Sequence, residues 1–291
     1  MCIRDRFFEK LWGTSLDKTP GLTVVEIMDE IAKNKLKGLY IMGENPAMSD
    51  PDLNHARKAL SVLKHLVVQD IFLTETAFYA DVILPASAFP EKTGTFTNTD
   101  RRVQLGRQAV DPPGDAKQDL WIIQQIANGI GLTWNYSNPK DVFEEMTKCM
   151  PSIAGITWDR LETDQSITYP CTSKTDPGQP VIFTESFPTE NGLARFVPST
   201  FSNANELPDN EFNFILITGR QLEHWHTGAM TRRASMLDEI EPNPTASLCS
   251  KDMKKLGITE GDLITVESRR GKIDVYSRKD DNLQTCLLYT S

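Results

Sequence analysis

Apolar positions recur along this chain at two different spacings, and the change of spacing marks a change of architecture. Residues 22–33 carry Val24, Ile27, Met28 and Ile31 at helical intervals, which predicts an amphipathic helix. Residues 37–42 make a short, mostly apolar run of strand length. Asp50 followed by Pro51 reads as a helix start, a cap residue and then proline in the first turn. Leu53, Ala56, Leu60 and Leu63 supply that helix with a buried face, and residues 66–68 form the next strand. Thr74 is placed to cap a short helix with Glu75 and Thr76 in its first turn. Residues 81–84 form a third strand, closed by Pro85. The alternation predicts right-handed crossovers and a parallel sheet.

Beyond Pro85 the pattern loosens. Residues 86–117, with Gly94, Gly106, Pro112, Pro113 and Gly114, predict a long loop of the kind that carries function. Residues 117–130 form a helix ended by Gly131, and Asn138-Pro139 opens another that runs through Met146. Residues 151–206, rich in Pro, Thr, Ser and Asn, read as an irregular connector packed against both domains. At Phe212 the spacing becomes that of strands. FNFILITG is one strand, 251–256 a helical turn or two, and two alternating strands flank the hairpin signal at Ser268–Gly271. The expected class is α/β: an αβα domain with a parallel sheet over 11–150, the connector, and a partial β-barrel over 207–280. The ends MCIRDR (1–6) and CLLYTS (286–291) continue no neighbouring pattern and read as foreign, adapter-like sequence, so Cys2 and Cys286 carry no weight.

Composition narrows the function. A net charge of −9 disfavours nucleic acid, whose partners present a basic face. No apolar run approaches the roughly 18 residues that a membrane helix needs, and MCIRDRFFEKLW lacks the apolar core of a signal peptide. The five cysteines form no C-x-x-C pair, so no zinc or iron–sulfur framework is visible, and the odd count favours a reducing compartment. A cytoplasmic location is expected, with a periplasmic one left open.

The polar loops after the three predicted strands would emerge at one sheet edge, where open α/β sheets bind extended ligands. Gly43-Glu44-Asn45-Pro46 allows a tight turn with close backbone approach, ahead of a helix start at Ser49 or Asp50 whose N-terminus suits a phosphate. It also fits an ordinary strand–helix turn. Asp70 can accept two hydrogen bonds from a guanine edge or a ribose diol, with Thr74 and Glu75 beside it. Equally, Thr74 can cap a helix whose N–H groups Asp70 answers. The run 91–98 lacks the order of a phosphate-binding GKT loop, so ATP hydrolysis has no support. It does bring Gly94, Thr95 and Asn98 near the same edge, with Arg101 and Arg102 able to serve a diphosphate; one of these two arginines is expected to be only solvated or salt-bridged. In the second region, Thr218-Gly219-Arg220 ends a strand, and His224-Trp225-His226-Thr227-Gly228 and Arg232 follow. His226, Thr227 and Arg220 can hydrogen-bond a heterocycle or phosphate. Metal ligation by the two histidines lacks a third ligand, and a satisfied polar turn under Trp225 is the remaining reading. No carboxylate pair, nucleophile elbow or cysteine–histidine dyad stands out.

The strings GLYIMGENPAMSDPD and VVQDIFLTETAFYADVILPASAFPEKTGTFTNTDRRVQ resemble the large subunits of molybdopterin-dependent oxidoreductases. Within that family, GITWDRLE, NGLARFVP and TGRQLEHWHTGAMTRRASMLDEIEPNP are most similar to the catalytic subunit of molybdenum- or tungsten-dependent formate dehydrogenase. KDMKKLGITEGDLITVESRRGKI resembles the family's C-terminal dinucleotide-binding domain. The resemblance implies two molybdopterin guanine dinucleotides around one Mo or W. Residues 43–46, 70–75 and 91–102 would hold one dinucleotide, and 218–220 and 224–233 would lie near the pterins. It also implies formate and carbon dioxide as substrate and product, and iron–sulfur or NAD/flavin-type electron-transfer subunits as partners. The family's four-iron–four-sulfur cluster and its metal-ligating cysteine or selenocysteine followed by His match nothing here. No catalytic or metal residue is therefore assigned, and the chain is expected to be an inactive fragment, poorly folded alone. A nitrate reductase, a non-catalytic structural subunit and a plain nucleotide binder are the rival readings.

Overall fold

The computed structural model describes residues 3–204 and 206–290. Met1, Cys2 and Ser291, from the end segments expected to be foreign, lie outside the described residues. Contacts divide the chain into two units, residues 1–195 and 196–291.

In the first unit, α1 (Ile3–Trp12) precedes α2 (Val24–Ala32). Thr23 and Glu26 close a reciprocal cap on α2: the Thr23 hydroxyl accepts from the Glu26 N–H at 3.4 Å, and the Glu26 carboxylate from the Thr23 N–H at 2.7 Å. There follow β1 (Gly38–Met42), α3 (Pro46–Ser49), α4 (Leu53–Ser61), β2 (His65–Asp70) and β3 (Val82–Pro85). The strands pair parallel in the order β1-β2-β3, as the apolar runs predicted. Met28 and Ile31 of α2 pack with Ala56 and Leu60 of α4 and with Leu66 and Val68 of β2. One detail differs from expectation. Asp50 ends α3, and it is Asp52 that caps α4, accepting the His55 N–H at 3.2 Å.

The stretch 86–117, expected as a loop, contains β4 (Gly94–Thr97) and β5 (Arg102–Gly106), an antiparallel hairpin. After α5 (Asp119–Gly129) and α6 (Pro139–Cys149), capped by Asn138, come α7 (Trp158–Asp164) and β6 (Ser166–Thr168), which pairs with β5. Val103, Phe143, Ile153, Ile156, Trp158, Leu161, Ile167 and Cys171 form a second buried cluster. The first part of the expected irregular connector is thus ordered. Its apolar residues come singly from several short elements, so no one window shows a period.

The second unit contains β7 (Ile215–Thr218), α8 (Ser235–Ile240), β8 (Thr245–Leu248), α9 (Ser250–Leu256), β9 (Leu263–Ser268), β10 (Gly271–Lys279) and β11 (Leu287–Thr290). They build a curled five-stranded sheet in the order β7-β11-β8-β10-β9, the partial barrel expected. Arg269-Arg270 forms the predicted hairpin turn, and Gly257, at φ +69°, ends α9 in the left-handed conformation. Ala246, Leu248, Met253, Val275 and Leu288 make the core. β11 was not predicted. Leu287–Thr290 pairs parallel with β7 and antiparallel with β8, and Leu288 is buried, so this end segment does continue its neighbours' pattern. No helix among the described residues is long and apolar enough to cross a membrane.

Candidate functional site

The register places Met42 beside Gln69 and Asp70 beside Pro85, so the loops after all three parallel strands leave at one edge. Gly43 makes the first turn at φ +65°, its N–H donating to the Gln69 carbonyl at 2.9 Å, and the space beside its Cα is open. Glu44 is exposed, and Pro46 opens α3. Asn45 is buried, and its side chain makes no capping bond to α3. Its amide donates to the Glu75 carboxylate at 2.8 Å, and its oxygen accepts from the Thr76 N–H at 3.1 Å and the Thr76 hydroxyl at 2.8 Å. The Thr76 hydroxyl accepts from the Ala47 N–H at 3.0 Å. Two loops from separate strands are thereby locked together.

Thr74 does not cap a helix; the short 3-10 turn Ala77–Tyr79 starts after Thr76. The Thr74 hydroxyl is buried without a hydrogen-bond partner among the described residues, and so is that of Ser87. Asp70 ends β2, its carboxylate accepting the Ile71 N–H at 2.7 Å. These features give the edge hydroxyls, a carboxylate and open backbone, a donor and acceptor set suited to a nucleotide.

A second polar set, which the sequence did not announce, underlies the loops. The Tyr40 hydroxyl donates to the side-chain oxygen of fully buried Gln69. The Gln69 amide donates to one Asp119 oxygen at 2.6 Å; Lys92 donates to the other and, at 3.1 Å, to the Ser87 carbonyl. Burial first, and then the Asp119 charge, hold the Tyr40 phenol above its ordinary value, so it stays protonated as the donor. The one visible signal was Gln69 itself, a polar residue inside an apolar strand.

Gly94 and Thr95 lie on β4, opposite Gly106 and Leu105. Asn98 shapes the hairpin turn, its side-chain oxygen accepting the Arg102 N–H at 2.9 Å. Arg101, at φ +67°, turns its guanidinium onto the carbonyls of Tyr169, Gln179 (3.1 Å) and Pro180 (2.9 Å). It clips the hairpin to 169–180, whereas the Arg102 side chain is exposed.

In the second unit, Gly219 donates to the Thr290 carbonyl at 2.9 Å, and the Arg220 carbonyl accepts from Tyr289 at 3.1 Å. Thr218 and Arg220 are exposed. His224 spans the Thr231 hydroxyl (3.2 Å) and the Glu241 carbonyl (2.7 Å), so its Nε2 is the donor. His226, at φ +51°, is exposed and meets Trp225 edge to face, with half-buried Thr227 next in the chain. Arg232 pairs with Asp238 at 3.1 Å and donates to the Pro242 carbonyl. Among the described residues no three His, Cys, Asp or Glu side chains are grouped to hold a metal ion.

Residues 9–129 match the family described as Molybdopterin oxidoreductase, and residues 214–289 match the Molydopterin dinucleotide binding domain. The chain is 46% identical over 286 residues to the "F420-dependent formate dehydrogenase subunit alpha" of Methanocaldococcus jannaschii. That alignment covers 98% of this chain and 42% of the relative. It is 43% identical over 287 residues to the "F420-dependent formate dehydrogenase 2 subunit alpha" of Methanococcus maripaludis, covering 97% and 42%. The acetylene hydratase of Pelobacter acetylenicus shares the fold with a TM-score of 0.68 at 19% identity, over 99% of this chain and 42% of that one. The chain thus spans about two fifths of the length of these two relatives. Two matched segments, in the order the fold presents them, and this likeness over almost all of its residues show that the chain belongs to the molybdopterin oxidoreductases.

Proposed function

We propose that this chain is the cofactor-gripping portion of a formate dehydrogenase catalytic subunit. The observation that carries the reading is the 46% identity, over 98% of the chain, to a protein named as a formate dehydrogenase alpha subunit. The whole enzyme would oxidise formate to carbon dioxide, or run the reverse, with electron-transfer subunits of iron–sulfur or NAD/flavin type as partners. When bound, two molybdopterin guanine dinucleotides with Mo or W supply the redox chemistry, and a four-iron–four-sulfur cluster outside this chain relays electrons.

The residues of the first unit fit one dinucleotide. Gly43 offers close backbone approach, Asp70 accepts from a guanine edge or ribose diol, and the Thr74 hydroxyl gains the partner it lacks. Arg102 answers a phosphate, while Asn45 and Glu75 hold the loops, and Arg101 positions the hairpin. Gly94, Thr95 and Asn98 shape that hairpin. In the second unit exposed Thr218, Gly219, Arg220 and His226, with half-buried Thr227, offer a polar surface to the pterins, and Arg232 braces it. None of the five cysteines is followed by His, so the chain alone turns over no formate.

The test is a hybrid of the Methanocaldococcus jannaschii alpha subunit in which residues 9–289 of this chain replace the matching stretch. Pterin content and formate-dependent dye reduction are measured. The expected hybrid holds pterin and reduces dye with formate. A pterin-loaded hybrid that ignores formate overturns the substrate; a folded hybrid without pterin overturns the grip.

A further inference from the structure

Each loop of the sheet edge is anchored close to a member of the buried polar set. Tyr40 lies three residues before Gly43, Gln69 directly before Asp70, and Lys92 two residues before Gly94. Asp119, at the start of α5, ties them together by taking the Gln69 amide on one carboxylate oxygen and the Lys92 ammonium on the other. Lys92 also reaches back to the Ser87 carbonyl and so pins both ends of the turn 87–92.

We propose that Lys92 is a positioning residue: through Asp119 and Gln69 it holds the loops 43–46 and 70–76 and the start of β4 at 93–95 in one arrangement that receives the guanine nucleotide end of the cofactor. The proposal rests on the reading of this edge as a dinucleotide site. Its physical basis is the cost of the alternative. Gln69 is fully buried and has no access to water, so its oxygen and amide depend on Tyr40 and Asp119. The pair is partly shielded, with side-chain exposures of 24% for Lys92 and 33% for Asp119. Without the ammonium, the Asp119 carboxylate gains by turning outward to water. It then abandons the Gln69 amide, and the end of β2, where Asp70 begins its loop, loses its fixed neighbour. The chain of contacts crosses β1, β2, the turn 87–92 and α5, so one cation controls groups distant in sequence.

The test compares the full chain with its Lys92→Met, Lys92→Arg and Asp119→Asn variants by amide hydrogen exchange without ligand, and by GDP affinity in calorimetry. Lys92→Met and Asp119→Asn are expected to speed exchange at 43–46, 70–76 and 93–95 while leaving 245–279 unchanged. GDP affinity falls roughly tenfold, the size expected for one charge-assisted hydrogen bond. Lys92→Arg restores most of both, which a loss of bulk stability alone would not explain. Unchanged exchange and unchanged GDP affinity in folded Lys92→Met and Asp119→Asn overturn the proposal. Faster exchange at the loops in a chain whose wild type binds no GDP supports the pinning and overturns the dinucleotide reading instead.

Discussion

In the first unit the candidate ligand residues stand on loops that are cross-linked beneath the surface; in the second they stand on largely exposed turns braced by the neighbouring His224 and Arg232. Asn45, Glu75 and Thr76 join two loops through three side-chain hydrogen bonds, and the Gln69–Asp119–Lys92 set joins them to the start of the hairpin. Arg220 is instead tethered through its carbonyl, and His226 is an exposed ring beside Trp225. The first arrangement is organised before any ligand arrives, which lowers the ordering cost of binding. In the second, residues 219–220 lean on β11, and residues 224–233 on the contacts of His224 and Arg232.

The comparison breaks most readily at Asn45. Asn45→Ala removes the acceptor of the buried Thr76 hydroxyl and N–H and takes one hydrogen bond from the Glu75 carboxylate, and should lower the stability of the first unit by about 3 kcal/mol in urea unfolding. Arg220→Ala in the second unit should change stability by less than about 0.5 kcal/mol. Equal effects would show that the two regions are built alike.

A smaller effect tests whether β11 organises the second unit. A Cβ on Gly219 would collide with the Tyr289 hydroxyl and ring. Gly219→Ala should therefore cost about 1–2 kcal/mol, and the addition of Tyr289→Ala should recover most of it. Additive losses in this cycle would mean that β11 does not pack there.

The smallest expected effect is one of pH. Hydrogen bonds from the Ser250 hydroxyl and N–H, helped by Lys279, hold the Asp281 carboxyl down at about 2. Because the folded value lies below the unfolded one, this stabilisation is present above about pH 4 and fades as pH falls toward 2. Asp281→Asn should weaken the second unit at pH 6 and match the parent chain near pH 2. Thermal melts across that range measure it; a deficit that persists at pH 2 points to lost packing rather than lost charge.

The parallel sheet was legible because each strand is an apolar run cut off by turn residues, Gly43, Asp70 and Pro85. The cap of α4 was misplaced because Asp50 and Asp52 both offer a carboxylate, and only the presence of α3 decides between them. β4, β5 and β8 are four or five residues each, too short to show a period against a Thr- and Gly-rich background. The candidate ligand edge was proposed from loop composition, but the polar set beneath it was not. Gln69 and its partners Tyr40 and Asp119 are 29 and 50 residues apart, and no local pattern encodes such a pairing. Arg101 and Arg102 look alike in sequence; the positive φ of Arg101 and three carbonyls from 169–180 separate their roles.

The most direct test of the dinucleotide edge is a footprint of GDP on the full chain by amide hydrogen exchange, with ADP as control. Slowed exchange at 43–46 and 70–76 with GDP, a weaker response to ADP, and loss of the GDP response in Asp70→Ala is the predicted result. A footprint confined to 196–290, or equal responses to the two nucleotides that survive Asp70→Ala, would contradict it.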